Sequence, residues 1–383
     1  MGKEIRITIG ADIVPTDTNI ELFKSGNVDK LIGKELKDIL SESDFISLNL
    51  ECPLINDGKA INKAGPHISA DEDSINALKK INSCFYTLAN NHIMDYGEEG
   101  LYNTLRILEE NKIEYCGVGD TIKGMRKSYI RNVGGINLGI YCCTEHEFSI
   151  ATDDSPGANP FDPLYCFDDI KQLRELADVV VVLYHGGKEY YRYPTPRLQE
   201  VFYKFVDSGA NIAVAQHTHC IGCYEQYNGG MLVYGQGNFL FDAMDDEYWN
   251  TSLLIQMVVD ENCSIKYEFI PLVKKTNTVG IANETEKKAI IDSFETRSAQ
   301  ILDKCFVKSE FSRMINDIKK EYFYMLSGGF SRLPFIRVLN KMTNYNYLEK
   351  KYDQRYSLAA LNYIECETHR EILEGLLRNE DEK

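Results

Sequence analysis

The sequence has no run of about 18 apolar residues, so no membrane-spanning helix is expected. It also has no basic excess. Its 42 Lys and Arg stand against 58 Asp and Glu, a net charge of −16. A general nucleic-acid binder needs a basic face, so that class is disfavoured. An anion can still be held, through a local positive centre such as a metal or a helix N-terminus. The opening residues, Met1-Gly2-Lys3-Glu4-Ile5-Arg6, show neither the apolar stretch nor the cleavage site of a signal peptide. No Ser or Thr stands where a myristoylation signal after Gly2 wants one. The expectation is a cytoplasmic protein whose 11 Cys are reduced thiols. No internal repeat or low-complexity block is present apart from the acidic end, Glu380-Asp381-Glu382, which is expected to fray.

What is there is a chain of 383 residues, 44% hydrophobic and 26% charged, enough for a large α/β domain plus an appendage. Over residues 5–270, β-like runs alternate with amphipathic helical runs. Ile5, Ile7 and Ile9 alternate with polar neighbours and lead to Asp12. Strands are predicted over 45–50, 84–89, 179–184 and 211–215, and helices over 100–110 and 196–208. Continuous apolar strands alternating with helices indicate a sheet covered on both faces. The runs 230–241, 252–259 and 264–270 follow one another without helices and read as an antiparallel tail to the sheets. From about residue 280 the style becomes helical and charged, over 282–304, 307–326 and 358–377, with Ser327-Gly328-Gly329 as a break. The expected division is a domain over 1–275 and a helical accessory segment over 276–383, packing on the core or on a protein partner.

Polar residues cluster at one kind of place. Asp12, Glu51, Asn91, His92, His185, His217 and His219 each stand at or just past the C-terminal end of a predicted strand. In an open α/β sheet those ends converge on one crevice, where ligands bind. Two carboxylates in a dry crevice need a cation to neutralise them. The mixed oxygen and nitrogen set suits Mn, Fe, Zn or Ni better than Ca or Mg. In His217-Thr218-His219 an extended backbone would put both imidazoles on one side, facing one metal or two neighbouring ones. Asn90-Asn91-His92 offers an amide oxygen to a metal and an imidazole to protonate a leaving group, with Asp95 placed to orient it. The bland alternative there is a polar turn capping the next helix. Lys63, His67, Arg192 and Arg197 are expected to line a substrate pocket, because an anionic substrate needs donors beyond the metal. The alternative for Arg197 is a surface residue at a helix start. Cys220-Ile221-Gly222-Cys223 has no second CxxC to make a zinc ribbon, so structural thiols are expected.

Six segments together resemble a known family: Gly10-Ala11-Asp12-Ile13, Asn49-Leu50-Glu51-Cys52-Pro53-Leu54, Leu88-Ala89-Asn90-Asn91-His92 with Asp95-Tyr96-Gly97, His185-Gly186-Gly187-Lys188-Glu189-Tyr190, Gln216-His217-Thr218-His219 and Gly237-Asn238-Phe239-Leu240-Phe241. In this order, over about residues 5–245, they look like the successive motifs of the CapA family of bacterial capsule and poly-gamma-glutamate synthesis proteins, in the calcineurin-like metallophosphoesterase superfamily. The resemblance implies a four-layer α/β/β/α metallophosphatase-like sandwich, here with a C-terminal helical extension, and a dinuclear metal centre. Asp12 and His219 would serve one metal, and Asn91, His185 and His217 the other. Glu51 would bridge, and His92 would be the general acid or transition-state stabiliser. Position 14 is Val where the superfamily supplies a His, so one metal site loses a ligand.

Three functions follow as expectations. The first is metal-assisted hydrolysis of a phosphoester or related anion. The second is peptide epimerisation or amide chemistry in the same crevice. The third is a non-enzymatic part of a polymer-assembly complex, with the helical segment as its partner-binding element.

Overall fold

The structure, a computed structural model, describes residues 4–82, 85–121, 124, 126, 128–242, 246–350 and 354–378. Cys84, expected to open the third strand, and the acidic end at 380–382 lie outside the described residues. The chain divides into two compact units, one ending at Val307 and the other beginning at Lys308.

The first unit is built on sixteen strands: β1 (Ile5–Val14), β2 (Phe45–Leu50), β3 (Phe85–Thr87), β4 (Glu114–Cys116), β5 (Val118–Gly119), β6 (Tyr129–Val133), β7 (Ile136–Thr144), β8 (Gly157–Ala158), β9 (Val179–His185), β10 (Ile212–Gln216), β11 (Tyr224–Tyr227), β12 (Gly230–Val233), β13 (Asn238–Phe241), β14 (Thr251–Val259), β15 (Ile265–Lys275) and β16 (Thr278–Ile281). One sheet runs β16-β15-β14-β1-β2-β3-β4, with β13 added beside β1. The other runs β11-β12-β10-β9-β7-β6, and β5 pairs with β8. In each sheet the central strands are parallel, β1 through β4 in the first and β7, β9, β10 and β12 in the second.

The side-chain period explains the layers. Along β9, Val179, Val181 and Leu183 face a core shared with Ile5, Ile7 and Ile9 of β1, so the two sheets pack face to face. The alternate residues, Val180, Val182 and Tyr184, face a second core. There they meet Ile170 and Leu173 of the helix Cys166–Leu176 and Phe202 and Phe205 of the helix Pro196–Asp207. A third core covers the outer face of the first sheet with Phe23, Leu36, Leu78, Leu101 and Leu108 from its helices. Apolar cores between the sheets and on the outer face of each mean four layers, α/β/β/α, as the family resemblance implied. Leu101 and Leu108 are buried and Leu105 is partly so, confirming the stripe on the helix Gly97–Glu110.

One expectation is corrected. Residues 230–241 are not a single antiparallel strand. They split at 234–237 into β12, parallel to β10 in the second sheet, and β13, parallel to β1 in the first. Gly235 and Gly237, at φ +122 and +77, make this crossing possible. A Cβ on Gly237 would sit 2.6 Å from the Thr251 carbonyl oxygen. The antiparallel pairing of β14 with β15 stands.

The first unit continues past residue 275 through β16 and the helix Glu284–Ile301, whose Phe294, Ser298 and Ile301 are buried. A capping box from Asn283 and Glu286 starts that helix. The second unit is helical, from the later part of Lys304–Leu326 through Gly328–Arg332, Pro334–Met342, Asn346–Glu349, Gln354–Glu365 and Glu367–Arg378. The run expected as one helix over 358–377 is thus two. Among the described residues, no helix is long and apolar enough to cross a membrane.

Candidate metal centre

The C-terminal ends of β1, β2, β3, β9 and β10 deliver the expected residues to one buried place. Asp12 lies at a register shift in β1 between Ile9 and Asp12, where the even strand spacing breaks. Glu51 follows β2, His185 ends β9, and His217 and His219 follow β10. All five are buried. Their ligand atoms form two sets, each within 4.8 Å: Asp12, Glu51 and His185, and Glu51, His217 and His219. Glu51 belongs to both. The grouping differs from the expected one in pairing His185 with Asp12 and His217 with His219.

Asn91 joins through its amide oxygen, 3.0 Å from His185 Nε2. Glu51 Oε1 lies 3.3 Å from the same nitrogen, yet neither Glu51 oxygen has a hydrogen-bond partner among the described residues. His217 Nδ1 has none either. A fully buried carboxylate with two unsatisfied oxygens is costly as it stands. Beside three imidazoles and a second carboxylate, the donor set fits a divalent transition ion.

The electrostatics agree. Burial and the neighbouring Glu51 push the Asp12 carboxyl up to about 6. Burial also pushes Glu51 upward, but the imidazoles of His185 and His219 outweigh it and hold Glu51 well below the usual carboxylate range. Burial, with His185 and His219 nearby, pushes His217 well below the ordinary histidine value, towards the neutral form that a metal requires.

The extended geometry expected for His217-Thr218-His219 is corrected. β10 stops at Gln216, and His217 and His219 stand at φ +85 and +52, in the left-handed region. Non-glycine residues there carry strain that the surroundings must hold, and such residues cluster at functional sites. The holding contacts are visible. The His217 N–H donates to Asp12 Oδ2 at 3.2 Å, and His219 Nδ1 sits 2.9 Å from Asn238 Oδ1. Trp249, the only Trp in the chain, stacks on the His219 ring at 4.7 Å. Val14 is buried in the helix-side core.

His92 is buried beside the centre. Its Nδ1 is 2.7 Å from Asp95 Oδ2, the orienting contact expected. Asp95 is itself fixed by the Ile68 N–H at 2.7 Å and by the Lys63 ammonium. Lys63 is therefore a buried brace for the His92–Asp95 pair, with its Nζ 3.2 Å from His92 Nδ1, and does not project toward a substrate. The other expected pocket residues have partners of their own. Arg197 is 76% exposed on the helix Pro196–Asp207 and pairs with Glu200, the surface alternative. His67 is exposed and holds the Ile61 carbonyl. Arg192 pairs with Glu247 at 2.8 Å and lies over the Tyr248 ring.

Three residues escaped sequence reasoning. Asn49 is a hub: its Nδ2 donates to Asp12 Oδ1 at 2.8 Å and lies 3.3 Å from His185 Nδ1, while its oxygen accepts from Asn90 Nδ2 at 3.1 Å. The signal was present, since Asn49 sits two positions before Glu51 in a strand otherwise apolar at its end. Glu147 and Glu189 flank His217 Nε2 at 4.0 and 3.8 Å, each 41% exposed, and Glu147 also accepts from Asn91 Nδ2 at 3.1 Å. They come from loops, where no period marks a side chain's direction. Replacing Asn49 by Leu should cost about 2–3 kcal/mol, because Asp12 and Asn90 each lose a buried partner. A denaturant titration of the metal-free protein checks this.

Cys220 and Cys223 are buried, and burial raises the Cys220 thiol to about 12 and the Cys223 thiol well above its ordinary value, which fits structural thiols. Among the described residues every cysteine is free of disulfides.

Fold and site together define a two-sheet sandwich with a buried carboxylate–imidazole cluster at the strand ends whose donor set fits a cation. The chain belongs to the bacterial capsule synthesis protein PGA_cap family, whose pattern matches residues 6–243. It is 32% identical over 251 residues to the capsule biosynthesis protein CapA of Bacillus anthracis, covering 62% of this chain and 60% of that one. It is 30% identical to the PGA biosynthesis protein CapA of Bacillus subtilis, covering 62% and 63%. The matched region thus spans about three fifths of these curated relatives. Among solved structures it is similar to a phosphatase from Mycoplasma pneumoniae, at TM-score 0.45, 13% identity and coverage of 71% and 95%. It is also similar to the NAD nucleotidase of Haemophilus influenzae, at TM-score 0.42, 12% identity and coverage of 77% and 56%.

Proposed function

We propose that the chain is a metal-dependent hydrolase acting on a phosphoester or related anionic group in capsule or poly-gamma-glutamate synthesis. The observation that carries this reading is Glu51, buried, without hydrogen bonds and shared by two ligand sets. Asp12, Glu51, Asn91, His185, His217 and His219 would hold one or two divalent transition ions. Bound there, an ion supplies Lewis acidity toward an oxygen of the substrate. Asp95 orients the His92 ring through Nδ1. The movable proton is then on Nε2, available to the leaving oxygen. Lys63 keeps Asp95 in place. The helical segment would serve a protein partner, a reading supported by exposed Phe335, Met342 and Leu377.

The test is an aryl phosphomonoester and phosphodiester assay with Mn, Fe, Zn and Ni each added to chelator-stripped protein. Turnover with at least one metal is expected, and none with any of them overturns the reading. The same titration has a stability readout. A metal at about 100 times its Kd adds about 2.7 kcal/mol, so the melting temperature should rise by several degrees.

A second reading is favoured by the mouth. Glu147 and Glu189 are acidic, and Lys63 and Arg197 face elsewhere, so a less anionic group such as a peptide amide or its α-carbon also suits the crevice. Deuterium incorporation from heavy water into a glutamyl peptide, without hydrolysis, would select this reading.

A further inference from the structure

A cavity of about 300 Å³ is lined by Arg192, Ile221, Val273, Ile290 and Arg297, and also by Glu247 and Glu286. Its charges do not cancel locally. Glu247 is taken by Arg192 Nη2 at 2.8 Å. Glu286 is taken by Lys275 at 2.8 Å and by the Asn283 N–H at 3.0 Å. Arg297 is left over. Its guanidinium is buried and bonded only to neutral groups: Nε to the Gly222 carbonyl at 2.7 Å, Nη2 to the Ile221 carbonyl at 3.1 Å, and Nη1 to the Ser293 hydroxyl. Among the described residues no carboxylate lies within ion-pair distance of it. A guanidinium has five N–H groups, so one remains on each terminal nitrogen. Arg192 lines the same cavity with its charge met by Glu247, but its Nε is buried with no hydrogen-bond partner among the described residues. Burial and the nearby Arg192 both press the Arg297 guanidinium downward, a sign that its charge lacks compensation in place.

A buried, uncancelled guanidinium is costly unless an anion completes it. The planar fork matches a carboxylate, and the Ile221, Val273 and Ile290 side chains match an aliphatic stem better than a fully hydrated ion. We propose that this cavity is a binding site for an aliphatic carboxylate, with the carboxylate on Arg297 and Arg192 and the chain against Ile221, Val273 and Ile290. The site stands apart from the metal reading, since none of the proposed metal ligands lines it.

The experiment is calorimetric and thermal-shift titration of the full chain, stripped of metal, with hexanoate, acetate, inorganic phosphate and hexylammonium. Hexanoate should bind saturably and more tightly than acetate, and phosphate and hexylammonium should not bind. Ala289→Trp places a large ring at an exposed position on the cavity wall and should abolish hexanoate binding without unfolding the protein. Arg192→Gln and Arg297→Lys should each weaken it by about tenfold or more, the second by losing the fork while keeping the charge. Arg297 also holds two backbone carbonyls, so if that variant does not fold, the other two carry the test. No hexanoate binding, phosphate binding as tight as hexanoate, or unchanged hexanoate affinity in Ala289→Trp would each overturn the assignment.

Discussion

Glu51→Gln is expected to reduce turnover by at least about 10³-fold, about 4 kcal/mol of lost transition-state stabilisation, while leaving the metal-free fold intact. Glutamine has the shape of glutamate and no charge. In the metal-free protein Glu51 is one of two carboxylates shut in a dry pocket, and neither of its oxygens has a hydrogen bond. Removing that charge relieves Asp12, whose carboxyl Glu51 helps to hold up at about 6. The variant should therefore melt at the same temperature as the parent or higher when both are stripped of metal. Added metal should then raise the parent's melting temperature and leave the variant's unchanged. A purely structural Glu51 predicts the reverse, a destabilised metal-free variant and no metal-dependent difference.

His92→Gln is expected to lower kcat by about 10²–10⁴-fold with metal content unchanged, because the ring assists a proton without being counted among the ligands. The effect should depend on the leaving group. A nitrophenyl ester leaves as a stable anion and needs little help, so the loss should be small. An alkyl ester needs its oxygen protonated, so the loss should approach the full range. Asp95→Asn should follow the same pattern at about 10–100-fold, since it acts only through the His92 ring it orients at 2.7 Å. Equal losses on both esters would remove His92 from the proton-donor role and make it a general electrostatic contributor. Lys63→Met tests the brace differently: it should loosen Asp95 and raise the apparent KM little, because Lys63 has no open path to a substrate.

The parts of the site that sequence alone revealed share a cause. A parallel strand is a continuous apolar run, and the first polar residue after it marks the strand's C-terminal end. Asp12, Glu51, Asn91, His185 and His217 stand at or within a few residues of such ends, and parallel pairing brings the ends together. The layers were legible for the same reason, as β9 shows with its two apolar faces. What stayed hidden depends on direction and reach. Lys63 and Arg192 are long side chains whose choice of partner, Asp95 in one case and Glu247 in the other, depends on distant segments arriving nearby. Glu147 and Glu189 sit in loops without a period. The split of 230–241 turns on two glycines at positive φ, and a run of apolar residues with glycines reads equally well as one strand. The left-handed backbone at His217 and His219 is set by tertiary contacts to Asp12 and Asn238, which no local pattern announces.

The most direct measurement is elemental analysis of the full chain purified without chelator, beside Glu51→Gln prepared in the same way. The centre described here predicts at least one transition ion per chain in the parent and a fall to background in the variant. A parent that carries no Mn, Fe, Zn or Ni, even after incubation with each, would contradict it, as would a variant that retains the parent's full metal content.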